Sequence, residues 1–204
     1  MPLWLAADPL VLASRSAIRK KILMAAGIPV EVRPADVDER GLEETHSAAA
    51  PGEIAARLAE AKAAAVERKT PGRLVLGADQ ILVLDGKRFA KPADRAAARV
   101  QLQALSGRSH ELHSAIAFVQ RQTVLFKHAD VARLTMRTMS DRFLDLYLDA
   151  TAAGGAATAS VGAYQIEGLG SQLFERIEGD YFTILGLPLL PALNFLRRQG
   201  CLAS

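Results

Sequence analysis

LVLGADQILVLDGKRFAKP, residues 74–92, decides the fold of this chain. Leu74 to Leu84 is aliphatic apart from the central GADQ, and Asp85-Gly86 follows at once. Asp-Gly suits a two-residue hairpin turn, whose central positions need positive φ, so RLVLGADQILVL and RFA are expected to pair as strands. Asp79 then stands between aliphatic stretches, where an unpaired carboxylate is costly to desolvate. It must be paired, metal-bound or catalytic. Gly77 and Ala78 beside it would let a ligand come close to the backbone. Lys91, locked before Pro92, follows the second strand, and a hairpin brings its two ends together, so Asp79 and Lys91 are expected to face one place. A structural salt bridge between strand ends is the other reading of that pair.

Working toward the N-terminus, Pro51 opens a helix with Ile54, Leu58, Ala61 and Ala65 on one face. Lys62 lies on the row of Ile54 and Leu58; its ammonium either reaches an interface between lobes or snorkels to the surface. DVDERGLEE, residues 36–44, is acidic and aperiodic and reads as a loop. Its carboxylates Asp36, Asp38 and Glu39 are a hard-oxygen set suited to Mg²⁺ or Mn²⁺, or else an ordinary acidic surface. A short strand is expected over 29–33. Leu10 to Ala13 is a buried strand feeding a helix in which Ile18, Ile22 and Ala26 recur every four residues up to Gly27. Ser14-Arg15-Ser16, with Arg19 one turn on, sits at that junction, where free backbone N–H groups and the helix dipole favour an anion. Ser14 or Ser16 capping the helix, with solvated arginines, is the alternative.

Toward the C-terminus, DRAAARVQLQAL reads as a helix ending at Ser106-Gly107, HELHSAIAFVQ and TVLFKHADVARLTM as a longer antiparallel pair, and Ser140 as the cap of a helix carrying Phe143, Leu144, Tyr147 and Leu148. ATAAGGAATAS, residues 150–160, has neither charge nor large side chains and reads as a flexible loop able to move over a ligand. The chain closes with a helix over 188–198, with Arg197 and Arg198 at its negative end. Strands and helices alternate but hairpins interrupt them, so the expected fold is α/β with a mixed, twisted sheet.

Composition sets the limits. At 204 residues, half of them hydrophobic, the chain is expected to form one domain, residues 1–204, of two lobes with a central cleft. The net charge of +3, from 25 basic and 22 acidic residues, is too dispersed for a nucleic-acid stripe, and 5% aromatic residues offer little base stacking. No nucleic-acid or membrane partner is expected, since no apolar run reaches the ~20 residues of a membrane helix. The single cysteine, Cys201, leaves no disulfide framework and is not placed as a nucleophile, and a cytoplasmic location is expected. The four histidines show no metal-ligand spacing and read as structural or solvent-facing.

Four ordered segments resemble the Maf family of nucleotide pyrophosphatases: LASRSAIRKKIL (12–23), GADQILVLDGKRFAKP (77–92), LQALSGRSH (102–110), and GAYQIEGLG with FERIEGDYFTILGLPL (162–170 and 174–189). The resemblance spans nearly the whole chain. It implies a fold like that of the inosine-triphosphate pyrophosphatases, usually homodimeric, and hydrolysis of a nucleoside triphosphate to monophosphate and pyrophosphate with a divalent cation (Mg²⁺, Mn²⁺ or Co²⁺). By matching positions it makes Asp79 the base for water and a metal ligand together with Glu39. Ser14, Ser16, Arg19, Lys62 and Lys91 become phosphate contacts, and Gln80 and Glu167 further substrate contacts.

The chain departs from the family where Ala17 and Ile18 replace a proline and the first arginine. Gln80 and Glu167, standing where many members have threonine and glutamine, resemble the 7-methyl-GTP branch, with a dTTP/UTP type as the alternative. The expected role is removal of modified or non-canonical nucleotides. A non-enzymatic regulator of septum formation is the rival, against which the retained Asp79, Lys62 and Lys91 argue.

Overall fold

The computed structural model describes residues 3–152 and 156–203. The elements follow in the order β1 (Leu10–Ala13), α1 (Ala17–Ala25), β2 (Val30–Val32), α2 (Glu39–Thr45), α3 (Pro51–Glu67), β3 (Val75–Leu84), β4 (Lys87–Phe89) and α4 (Arg95–Leu105). Then come β5 (Ser109–Gln120), β6 (Thr123–Met136), α5 (Asp141–Ala152), α6 (Ala156–Ala159), two short 3₁₀ turns, β7 (Phe174–Glu178), α7 (Tyr181–Ile184) and α8 (Leu189–Arg198). The sheet is mixed as expected: the order is β2-β1-β3-β5-β6-β7 with β4 on β3, β1 runs parallel to β2 and β3, and the β3/β4 and β6/β7 pairs are antiparallel. The chain forms two compact units, one of Met1–Gln80, His113–Asp130 and Asp180–Ser204, the other of Ile81–Leu112 and Val131–Gly179.

The first unit is layered by strand alternation. Leu10 and Leu12 of β1, Leu76 of β3 and Phe118 of β5 pack with Ile22 and Leu23 of α1 and Phe195 and Leu196 of α8. Val11, Ala13 and Val75 turn the other way, onto Ala63 and Val66 of α3. Helix α3 lies unusually close to β3, because Gly77 has no side chain to hold it off. A Cβ there would stand 1.9 Å from the Ala59 carbonyl oxygen and 2.9 Å from the Ala63 nitrogen. The glycine expected to admit a ligand instead admits a helix backbone. This approach buries Lys62 against β3. At the far end of α3, the buried Glu67 carboxylate accepts from the backbone N–H groups of Gly72, Arg121 and Gln122 at 2.9–3.2 Å, tying the β5/β6 turn to the helix.

In the second unit, the Asp85-Gly86 turn has both residues at positive φ, as the hairpin requires. Helices α4 and α5 are laced by Arg95 to Asp149 and by Arg99 to Asp141 and Asp145. Asp94 caps α4 and Ser140 caps α5. His110 is buried beside Tyr164, its Nε2 2.8 Å from the phenol oxygen, and burial drives its imidazole down to about 4, so it is neutral and structural.

Two expected loops prove partly helical. DVDERGLEE holds all but the last residue of α2, started by Asp38, whose carboxylate accepts from Gly41 N at 2.9 Å, and braced by Arg40 with Glu44. No residue of α2 is buried, so it has no apolar face to give a period. ATAAGGAATAS is helical on both flanks, in α5 through Ala152 and in α6 from Ala156, and its residues 153–155 lie outside the described residues. Alanine's high helix propensity outweighs the absence of large side chains there.

Gly77→Ala is expected to cost more than ~2 kcal/mol in urea unfolding, the scale of a core overpacked by backbone that cannot yield. Gly72 is the control: it has positive φ but open space around it, so Gly72→Ala should cost only about 1 kcal/mol from backbone conformation. Equal losses would show that the α3 approach to β3 is not the constraint described.

Candidate active site

The site grows from the carboxyl ends of two adjacent parallel strands, where open α/β sheets place ligands. Ala13 of β1 pairs with Gly77 of β3, so Ser14 leaves β1 as Asp79 emerges on β3. Ser16 caps α1, its hydroxyl accepting from Arg19 N at 3.4 Å. The buried Ser14 oxygen accepts from Ser16 N and from Arg19 Nη1, both at 3.2 Å, which leaves its own O–H to donate. Ser16 is therefore a helix cap, as the capping reading has it, and Ser14 faces the half-buried Arg19.

Arg19 is held on two sides. Its Nε donates to Gly186 O and its Nη1 to Ala78 O, each at 2.8 Å. Gly186 has φ +84°, and a Cβ on it would come within 3.1 Å of Arg19 Nη2. Burial pulls the guanidinium below its ordinary pKa while Asp79 and Glu39 hold it up. Nη2 makes no hydrogen bond among the described residues, so a fixed pair of donors remains for an anion.

Lys62 sits at the centre. Its ammonium is 2.5 Å from Asp79 Oδ1 and 2.9 Å from Glu39 Oε2. Lys62 and Asp79 are each less than a tenth exposed, whereas Glu39, at the start of α2, is half open to solvent. Burial raises the Asp79 pKa above the usual aspartate range, and the charges of Lys62 and Arg19 oppose that rise. Asp79 Oδ2 has no protein partner among the described residues and is left for a water molecule. The buried carboxylate is thus paired, as its apolar setting demands.

Gln80 points its amide nitrogen inward, to Ser114 Oγ at 3.0 Å, Thr183 O at 3.2 Å and Ile184 O at 2.9 Å. Only its carbonyl oxygen is left for a ligand. Lys91 is exposed, two residues beyond β4, and the hairpin pairing ends at Leu82 with Phe89. Glu167 is exposed in the turn between the 3₁₀ segments Val161–Ala163 and Leu169–Leu173. Both belong to the second unit, whereas Ser14, Arg19, Glu39, Lys62, Asp79 and Gln80 belong to the first. Asp38 is spent on capping α2, and Asp36 is exposed. Sequence reasoning missed Ser114, Thr183 and Gly186. A serine inside the apolar run of β5 was the available signal, since a buried hydroxyl needs a partner.

The donor set fits a hard divalent cation in part. Among the described residues no group of three or more His, Cys, Asp or Glu is gathered to hold one. Asp79 and Glu39 nonetheless touch one ammonium nitrogen, so both carboxylates reach a common point of positive charge. Mg²⁺ asks for little more from a protein, taking one or two carboxylates and completing its shell with water and phosphate.

The Maf-like protein family's sequence pattern matches residues 9–199. Two proteins called nucleoside triphosphate pyrophosphatase, from two strains of Rhodopseudomonas palustris, are 57% and 58% identical to this chain over 203 residues, covering 100% of each chain. A 7-methyl-GTP pyrophosphatase from Mesorhizobium japonicum is 52% identical over 197 residues, 96% of this chain and 98% of that one. With its opening serine-arginine turn, its buried aspartate and its closing glycine all falling inside the matched span, this chain belongs to the Maf-like protein family.

Proposed function

We propose that this chain hydrolyses a nucleoside triphosphate between its α- and β-phosphates, releasing monophosphate and pyrophosphate. The observation that carries this reading is the buried Asp79, tied through one oxygen to Lys62 and open through the other, beside the fixed donors of Arg19 and Ser14. The names of the full-length relatives support it.

Asp79 Oδ2 takes the proton of the attacking water, for which the two heavy atoms need to lie about 3 Å apart. Its raised pKa makes it a stronger base than a solvated aspartate. The Lys62 ammonium has one N–H beyond those used for Asp79 and Glu39, and with Arg19 Nη2 and the Ser14 hydroxyl it offsets charge on the phosphate oxygens. A divalent cation held by Glu39 and Asp79 would supply further positive charge to the polyphosphate and acidify the attacking water.

Asp79→Asn is expected to lower pyrophosphate release by ~10²-fold or more while nucleotide binding remains measurable. Wild-type turnover in the folded variant would remove Asp79 from the mechanism. The acid limb of kcat/KM should lie above the ordinary aspartate range of about 4, because the base must be ionised and burial raises its pKa. Removing the opposing charge with Lys62→Met should move that limb to still higher pH with the same substrate. A limb that stays in place or moves down would show that Asp79 is not the titrating group.

For the base, the reading is a guanine-type nucleotide such as 7-methyl-GTP, supported by the name of the Mesorhizobium relative and by Glu167. Guanine offers two adjacent donors, N1–H and the N2 amino group, which one carboxylate accepts, and N7 methylation adds positive charge to the ring. Uracil and thymine present acceptor, donor, acceptor and suit an amide. Glu167→Gln should therefore lower the ratio of 7-methyl-GTP to UTP turnover, and an unchanged ratio would exclude Glu167 from base reading.

A further inference from the structure

Glu167 stands exposed at the tip of a segment whose foot is held by three side chains in succession. The Gly162 N–H donates to Gln101 Oε1 at 3.1 Å, the Ala163 carbonyl accepts from the Tyr147 hydroxyl at 3.2 Å, and the Tyr164 phenol oxygen lies 2.8 Å from His110 Nε2. All three backbone positions are buried. Gly162, at φ +79°, lies close against the β3/β4 hairpin, since a Cβ there would come within 2.7 Å of Leu82 Cδ1. Beyond the foot, Gly168 N donates to Gln165 O at 3.2 Å, and a Cβ on Gly170 would collide with that same oxygen, so the two sides of the turn close on each other.

Gln101, half-buried on α4, does more than hold the foot. While its Oε1 accepts from Gly162, its Nε2 donates to Ala90 O at 2.7 Å, so both ends of one amide are used and its orientation is fixed. Ala90 directly follows β4, and the buried Pro92 two residues on keeps the intervening Lys91 backbone extended, so the accepting carbonyl is itself firmly placed. We propose that Gln101 is a positioning residue for nucleobase selectivity: by bridging Ala90 and Gly162 it seats the 162–170 segment on the hairpin and fixes where the Glu167 carboxylate stands. Only an amide serves here. A hydrocarbon side chain makes neither bond, and a carboxylate accepts from Gly162 but has no proton for Ala90. A carboxylate that meets two adjacent donors on one base edge is sensitive to small displacements of the peptide that carries it. Ser14, Arg19, Lys62 and Asp79 belong to the first unit, whereas Gln101, Ala90, Gly162 and Glu167 all belong to the second, so a change at Gln101 falls on the base contact and not on the phosphate chemistry.

This inference rests on the reading of the base by Glu167, and the experiment separates the two. Gln101→Met keeps the length of the side chain without either bond, Gln101→Glu keeps the acceptor alone, and Glu167→Gln with the Gln101→Met/Glu167→Gln double variant completes a cycle. Each would be measured on the full chain with 7-methyl-GTP and UTP, as kcat and KM with Mg²⁺ and as dissociation constants without divalent cation, alongside thermal unfolding and amide hydrogen exchange of residues 162–170. Gln101→Met is expected to raise KM and Kd for 7-methyl-GTP about tenfold, on the scale of one lost hydrogen bond, with both UTP values and every kcat within about twofold. Gln101→Glu should fall between Gln101→Met and the wild type, and exchange at 162–170 should rise in both. The double variant should prefer 7-methyl-GTP no less than Glu167→Gln alone, because Gln101 acts through that carboxylate. Equal losses for the two nucleotides, or a change confined to thermal unfolding, would make Gln101 merely structural. Additive losses of preference in the double variant also overturn the proposal, as does a preference lost in Glu167→Gln but kept in Gln101→Met. An unchanged preference in Glu167→Gln removes the base reading, and this role of Gln101 with it. Should the wild type release no pyrophosphate from any nucleoside triphosphate, the proposed function falls while the dissociation constants still decide the role of Gln101.

Discussion

One ammonium group between two carboxylates is the interaction around which the first unit is arranged. Lys62 reaches Asp79 only because α3 lies directly on the backbone of β3, and it can do so only because residue 77 is glycine. A buried aspartate alone would be protonated or would drive the strand apart. A buried lysine alone would lose its charge. Together they are tolerable, yet a buried ion pair adds little net stability over an apolar pair of the same size. What it provides here is a charged base kept out of bulk solvent, with one oxygen spoken for and the other available.

The same logic separates the side chains that hold the site from those that act in it. Arg19 donates to Ala78, Gly186 and Ser14, so most of its hydrogen-bonding capacity is spent on fixing its own plane. A guanidinium free to rotate would offer more donors but would have to be ordered by each arriving phosphate. Arg19 is instead held from three directions.

Much of this was legible in the amino-acid order because it is decided locally. Positive φ at Asp85 and Gly86, the cap at Ser140, and the strand alternation around Asp79 each depend on a handful of consecutive residues. Helix α2 escaped because it buries nothing, leaving no apolar period to detect, and is held by a cap and one exposed i,i+4 pair. At the site, Asp79 stood out for the cost of burying its charge, and Lys62 for its place on an otherwise apolar row. The role of Ser114 could not be read, since its partner Thr183 lies 69 residues away and the bond is to a backbone oxygen that any residue supplies. Gly77 was noticed for the right property, its missing side chain, but helix backbone fills the space.

The Glu67 carboxylate at the end of α3 extends the reach of that helix. It gathers three backbone amides from two separate loops, residues 72 and 121–122, into one buried acceptor. Neither loop can satisfy those amides by itself, and the acceptor reaches them only when α3 is seated. Seating of α3 and closure of the two loops are therefore thermodynamically linked: a helix that lifts away leaves three buried amides without their acceptor, at a cost of about 1–3 kcal/mol each. Because Lys62 lies five residues earlier on the same helix, a displacement that frees the ribbon would also withdraw the ammonium from Asp79. The anchor of the loops and the partner of the buried aspartate are thus held or lost together.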